Sequence, residues 1–306
     1  MKKQEIHHVT VLDIGTKSLR LVVLENQNER KVVAAATVDI DYIKRGVVSD
    51  VDALTQSIRL AVSQVHKIYL GHIDKVIVSL SGVSVGSISN RTELENRHKV
   101  GIITDHFVQE LYEKVELRIP ENIIQNKKIV HTIPQEFRID GRRVSTLHPQ
   151  QLKGTNVDLR ALCIYVQKQH LDTILCACEE ADLKVDDVIV SEYAFTKKMI
   201  KEADRLAGVC VVNIGADTTT VITYDEGVPL LLEVFPIGSS NITNDIALGL
   251  RIPLEDAEQA KLGNLQKIHT REGDVHESGN KNHHSESKKD RDHREKEQTR
   301  ERDTRR

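Results

Sequence analysis

Tryptophan is absent from the 306-residue chain, and aromatic residues make up 3% of it. Stacking of bases on aromatic side chains, the usual way to hold single-stranded nucleic acid, is therefore not expected. The formal net charge of −3 favours neither nucleic acid nor an acidic partner. No apolar run approaches the roughly 20 residues that span a bilayer, so no transmembrane segment is expected. Met1-Lys2-Lys3-Gln4-Glu5 leads into a strand without a signal-peptide core. The expected place is the cytoplasm, or the periphery of a membrane. The four cysteines (Cys163, Cys176, Cys178 and Cys210) lack the paired spacing of a zinc site or a secreted scaffold. Buried, reduced thiols are expected instead.

What the chain does have is a loop that occurs twice. Val11-Leu12-Asp13-Ile14-Gly15-Thr16-Lys17-Ser18 leaves one apolar segment and enters another, which reads as strand, tight turn, strand. Gly15 permits a close backbone approach, and Thr16 and Lys17 add a hydroxyl and a cation. Such a turn can cradle a phosphate, and Asp13 stands where it could hold magnesium through water. Val211-Val212-Asn213-Ile214-Gly215-Ala216-Asp217-Thr218-Thr219-Thr220 repeats the pattern, with Asn213 in the place of Asp13. Internal duplication changes how both copies are read. Two such hairpins on two α/β halves can grip a polyphosphate from both sides, the plan of the actin/Hsp70-like (ribonuclease H-like) superfamily, which the chain resembles.

Between and around the loops, periodicity divides the chain. Val51, Leu54, Ile58, Ala61, Val65 and Ile68 mark an amphipathic helix, capped by Ser49 or Asp50 and closed by Gly71. Strands are expected at 76–82, 85–89, 128–132, 136–139 and 158–166, with a bend at Pro134 and a turn at Gly141. A helix over 105–118 takes Thr104 as its cap, and further helices cover 169–181 and 191–205. Arg142 and Arg143 read as a solvated hairpin tip, and Glu192 as a surface residue. Beyond Gly263 the composition becomes charged and mixed in sign, and a disordered tail is expected.

Five stretches together closely resemble the bacterial cell-division FtsA family, an actin relative. They are Leu12-Asp13-Ile14-Gly15-Thr16, Gly46-Val47-Val48-Ser49-Asp50-Val51, Val78-Ser79-Leu80-Ser81-Gly82, Ile133-Pro134-Gln135-Glu136-Phe137-Arg138-Ile139-Asp140-Gly141, and the span from Gly208 to Gly263. The I-P-Q-E-F segment is the most specific. The resemblance implies an actin-like first lobe from 1–80 and 163–205, an inserted α+β subdomain of SHS2 type over 81–162, a partial second lobe over 206–263, and the tail over 264–306. It implies ATP or ADP with magnesium between the lobes, self-association, division proteins as partners, and a place at the inner face of the cell membrane at the division site. Carried over by motif, Asp13, Gly15, Thr16 and Lys17 form the first phosphate loop, and Gly215, Asp217, Thr218 and Thr219 the second.

The departures are specific. The family's second loop reads D-I-G-G-G-T-T-D; here Asn213 and Thr220 replace its acids, and Ala216 and Asp217 stand where glycines would. Hydrolysis is not expected. The family continues well past Gly263, and the part beyond it supplies the subdomain that docks FtsZ, so FtsZ docking is not expected of residues 1–263. The favoured reading is a non-catalytic cell-division scaffold with weak or vestigial nucleotide binding. The alternatives are an active ATPase of the same superfamily, a pilus-assembly adaptor of the same fold, and a chain that does not fold fully.

Overall fold

The computed structural model describes residues 8–25, 31–97 and 101–264. The expected tail over 264–306 lies, apart from Asn264, outside the described residues. In chain order the elements begin with β1 (His8–Ile14), β2 (Ser18–Glu25), β3 (Lys31–Asp39), β4 (Ile43–Lys44), β5 (Val47–Val48), α1 (Val51–His66) and β6 (Lys75–Leu80). Then come β7 (Val85–Glu95), α2 (Asp105–Leu117), α3 (Glu121–Ile124), β8 (Lys127–Ile139), β9 (Arg142–Arg143) and β10 (Asn156–Gln167). The rest are α4 (Lys168–Glu180), β11 (Lys184–Val190), α5 (Ser191–Met199), α6 (Glu202–Ala207), β12 (Val209–Ile214), β13 (Thr219–Asp225), β14 (Val228–Phe235), α7 (Ser239–Leu250) and α8 (Leu254–Lys261). The chain divides into two compact units between Asp245 and Ile246.

The first sheet runs β11-β6-β1-β2-β3. Its first three strands in sequence form an antiparallel meander, and β6 and β11 then add in parallel beside β1. Parallel addition needs crossovers, and α1 and α4 lie on these connections. Alternation along β1 and β2 turns Leu12, Leu19, Leu21 and Val23 inward, where Leu54, Ile58, Ala61 and Val65 of α1 join the same core. The cap of α1 is Asp50, whose Oδ1 accepts from the Ala53 N–H at 2.9 Å. The helix ends at His66 with Lys67 as its C-cap, so Gly71 does not close it as expected.

The second sheet, β7-β10-β8-β9, is antiparallel throughout. Its central strand β10 is buried on both faces. Leu159, Ala161 and Cys163 pack with Phe107, Leu111 and Val115 of α2 and with Phe137. Leu162, Ile164 and Val166 point the other way and join the core of the first sheet. The strands expected at 128–132 and 136–139 are one, β8, which runs through Pro134 with an irregularity at the expected bend. Pro134 lies opposite Ala161 and Glu136 opposite Arg160, so Gln135 is an extra, bulged residue. Proline is tolerated there because β9, the neighbour on the other side, reaches only Arg138 and Ile139.

The third sheet is the antiparallel meander β12-β13-β14. The helix expected over 191–205 is instead two, α5 and α6. Arg142 and Arg143 are exposed beside the hairpin turn, as expected, and Arg143 also pairs with Glu226 in the turn between β13 and β14 and lies 3.4 Å from Glu136. Cys163 and Cys178 are buried as expected, and burial pushes their thiols up to about 11 and about 12. Cys176 and Cys210 are exposed, contrary to expectation. In the unit that begins at Ile246, Pro253 precedes α8, and Lys261 pairs with Glu258 at 2.6 Å. Among the described residues no helix is long and apolar enough to cross a membrane.

Candidate functional site

The two loops close in the same way. In the first, the Gly15 N–H donates to Ser18 O at 3.1 Å; in the second, the Gly215 N–H donates to Thr218 O at 2.8 Å. A Cβ on either glycine would lie 3.1 Å from that same carbonyl oxygen. Strand register matches as well. Asp13 pairs with Arg20 across β1 and β2, as Asn213 pairs with Thr220 across β12 and β13. One sequence pattern has produced one turn, twice.

Both turns line a cavity of about 360 Å³. Asp13, Gly15, Thr16 and Lys17 border it from the first loop, and Gly215 and Thr218 from the second. Two of the residues expected there do other work. Asp217 does not line the cavity; its Oδ2 accepts from the Arg45 N–H at 3.2 Å. Thr219 donates its hydroxyl to Ile237 O at 2.7 Å. The second loop is held from behind by Gly238, where a Cβ would meet Ala216 O at 2.3 Å. Magnesium held by Asp13 through water was the expected metal site. Asp13 is paired with Arg20 at 3.3 Å and accepts from the Ser191 hydroxyl at 3.4 Å.

Sequence reasoning missed Arg20, Ser81, Ser191 and Glu192 as lining residues, while Asn213 and Thr220, read as replacements of the family's acids, line the cavity too. Arg20 was within reach, since hairpin register places it opposite Asp13. Ser191 and Glu192 arrive from the start of α5, far along the chain, and no local pattern announces them. The Ser191 hydroxyl lies 2.6 Å from that of Ser79 and donates to Leu80 O at 3.0 Å, which ties α5 to the end of β6.

Glu192 is a cavity residue, not a surface one; it is 6% exposed. Its Oε1 accepts from the Thr220 hydroxyl at 3.2 Å, while Oε2 is buried without a hydrogen-bond partner. Burial holds its carboxyl above the usual carboxylate range, and the Asp13 charge adds to this; the Thr220 and Asn213 side chains oppose it. Because the folded value is raised, Glu192 costs stability as pH rises from the ordinary carboxylate range through that value. Glu192→Gln should therefore raise the melting temperature at neutral pH by a few degrees, with the gain shrinking to nothing in acid. A gain that persists in acid would mean that ionisation is not its cause.

A five-stranded sheet in the order above, a second antiparallel meander with the same turn, and a cavity between the paired turns define an actin-like α/β protein. The solved PilM–PilN type IV pilus biogenesis complex shares the fold, with a TM-score of 0.59 at 20% identity over 83% of this chain and 69% of that one. The family model "Cell division protein FtsA" matches residues 210–302. Cell division protein FtsA of Bacillus subtilis is 26% identical over 253 residues, 82% of this chain and 56% of that protein. FtsA of Pseudomonas aeruginosa is 27% identical over 258 residues, 82% of this chain and 59% of its own length. Over most of its length the chain is similar to FtsA proteins, at 26–27% identity. It spans little more than half the length of these relatives.

Proposed function

We propose that the chain serves as an FtsA-like cell-division scaffold that binds an adenine nucleotide in the cavity between its twin turns and does not turn it over. The observation that carries this reading is the mismatch inside the cavity. Both glycine turns are intact, but the acids that would organise hydrolysis are not: Asn213 and Thr220 are neutral, and Asp13 is tied to Arg20. Phosphoryl transfer to water needs charge and a positioned base; grip needs only the turns and cations.

The division at 1–80 with 163–205, 81–162, and 206–263 follows the three sheets except at one border, where β10 of the inserted sheet runs on to Gln167. Self-association and contact with other division proteins would then fall to the inserted sheet and α2, at the cytoplasmic face of the division site. The pilus-adaptor reading has fold likeness alone behind it.

Calorimetry of ATP and ADP binding to the full chain tests this, beside Gly15→Val and Gly215→Val. Each valine would crowd the carbonyl that closes its turn. Both variants should lose binding, and the wild type should release no phosphate above background. Turnover that disappears in Glu192→Gln would favour the enzyme reading instead.

A further inference from the structure

The actin-like fold implies magnesium at the nucleotide phosphates, and the residues around this cavity do not fit it. A hard cation of this size is usually held through carboxylates and water. In the first turn, Asp13 Oδ2 lies 3.3 Å from Arg20 Nη1, and its Oδ1 receives the Ser191 hydroxyl. In the second, the equivalent register position holds the amide of Asn213, facing Thr220. Glu192 is buried beside a threonine hydroxyl, in surroundings that disfavour its charge.

The cations are there in side-chain form. Lys17 and Arg20 both line the cavity. A guanidinium carries five N–H donors in a fork that matches phosphate oxygens, and the recorded contact of Arg20 with Asp13 uses one nitrogen. We propose that Arg20 and Lys17 take the place of the divalent ion, so that the cavity binds a polyphosphate anion without metal. The inference rests on the nucleotide reading above and refines it. Asp13 then has an inverted role: it holds Arg20 in place and competes with the incoming phosphate for it.

The test is calorimetric titration of the full chain with ATP, once in EDTA and once in excess magnesium. Affinity in EDTA should equal or exceed that in magnesium, since metal-free ATP carries more negative charge. Arg20→Ala should weaken binding in EDTA by about tenfold or more, as expected for a lost charge-assisted contact. Arg20 is exposed enough that its loss should leave the melting temperature unchanged. Asp13→Asn is the sharper variant. It should tighten binding in EDTA, because it removes the competing charge, whereas a carboxylate serving magnesium would lose affinity on the same change. Binding that requires magnesium, or that Asp13→Asn abolishes, overturns the inference and leaves the nucleotide reading standing. An Arg20→Ala variant that binds as well as the wild type also overturns it. No binding in either buffer overturns the nucleotide reading itself, and the inference with it.

Discussion

Gly82→Ala should be among the most damaging single-methyl additions the protein can receive. Gly46 and Gly82 lie backbone against backbone: a Cβ on Gly82 would sit 2.5 Å from Gly46 Cα, and one on Gly46 would sit 2.4 Å from Gly82 Cα. Neither neighbour is a side chain that can swing away. Both glycines also have positive φ, +77° and +105°, which an L side chain resists. Such strain alone costs about 1–3 kcal/mol, and the crossing must open as well. The consequence reaches the cavity. The turn between β4 and β5 carries Arg45, whose N–H holds Asp217 of the second loop, and Ser81 beside Gly82 lines the cavity. Urea unfolding should show a large fall in midpoint for either alanine variant. Gly46→Ala with Gly82→Ala should cost less than the sum of the two, since one crossing is opened once. A fall within experimental scatter would mean that the crossing is loosely held.

Gln135→Ala should be nearly as costly, for a different reason. Gln135 is the bulged residue of β8 and is 3% exposed. Its side-chain amide donates to Pro229 O at 2.7 Å, and its Oε1 accepts from the Ser89 hydroxyl at 2.8 Å. It thus joins the inserted sheet to β14 of the third sheet. The Ser87 hydroxyl makes a parallel joint, bonding both the N–H and the carbonyl of Leu232 at 2.9 Å. Truncation leaves two polar groups without their partner, and each buried loss costs about 1–3 kcal/mol. Urea unfolding should register a loss of roughly 2–6 kcal/mol on that basis. Gln135→Glu should not rescue it, because a carboxylate cannot donate to Pro229 O. Rescue by glutamate would show that shape, not the donated hydrogen bond, is what matters.

These two sites also mark where the sequence was legible and where it was not. Long periodic elements were readable: α1 with its Asp50 cap, α2 with Thr104, and the twin hairpins. Their signal is local, a repeat of apolar residues ended by a capping side chain. The hairpin of β4 and β5 was not readable, because strands of two residues have no period to detect. Pro134 read as a bend between two strands; only the strand pairing reveals that one strand continues through it. At the cavity, the residues that sit within the loops could be named in advance. Glu192 and Ser191 could not, since only the packing of α5 against β6 brings them in. Asp217 and Thr219 carry the right chemistry for phosphate, yet strand alternation and the Arg45 contact turn them to other uses.

The twin turns sit on unequal mountings. Among the described residues, β1 is flanked on both sides, by β2 and β6, whereas β12 has β13 alone. Val212 and Ile214, just before the second turn, are more than half exposed, while Leu12 and Ile14 are in the core. Local opening is easiest where buried contacts are fewest. One jaw of the cavity is therefore an anvil and the other a spring. On the nucleotide reading proposed above, adjustment to the ligand falls to the spring, and the anvil with its Asp13–Arg20 pair sets the position to which it adjusts.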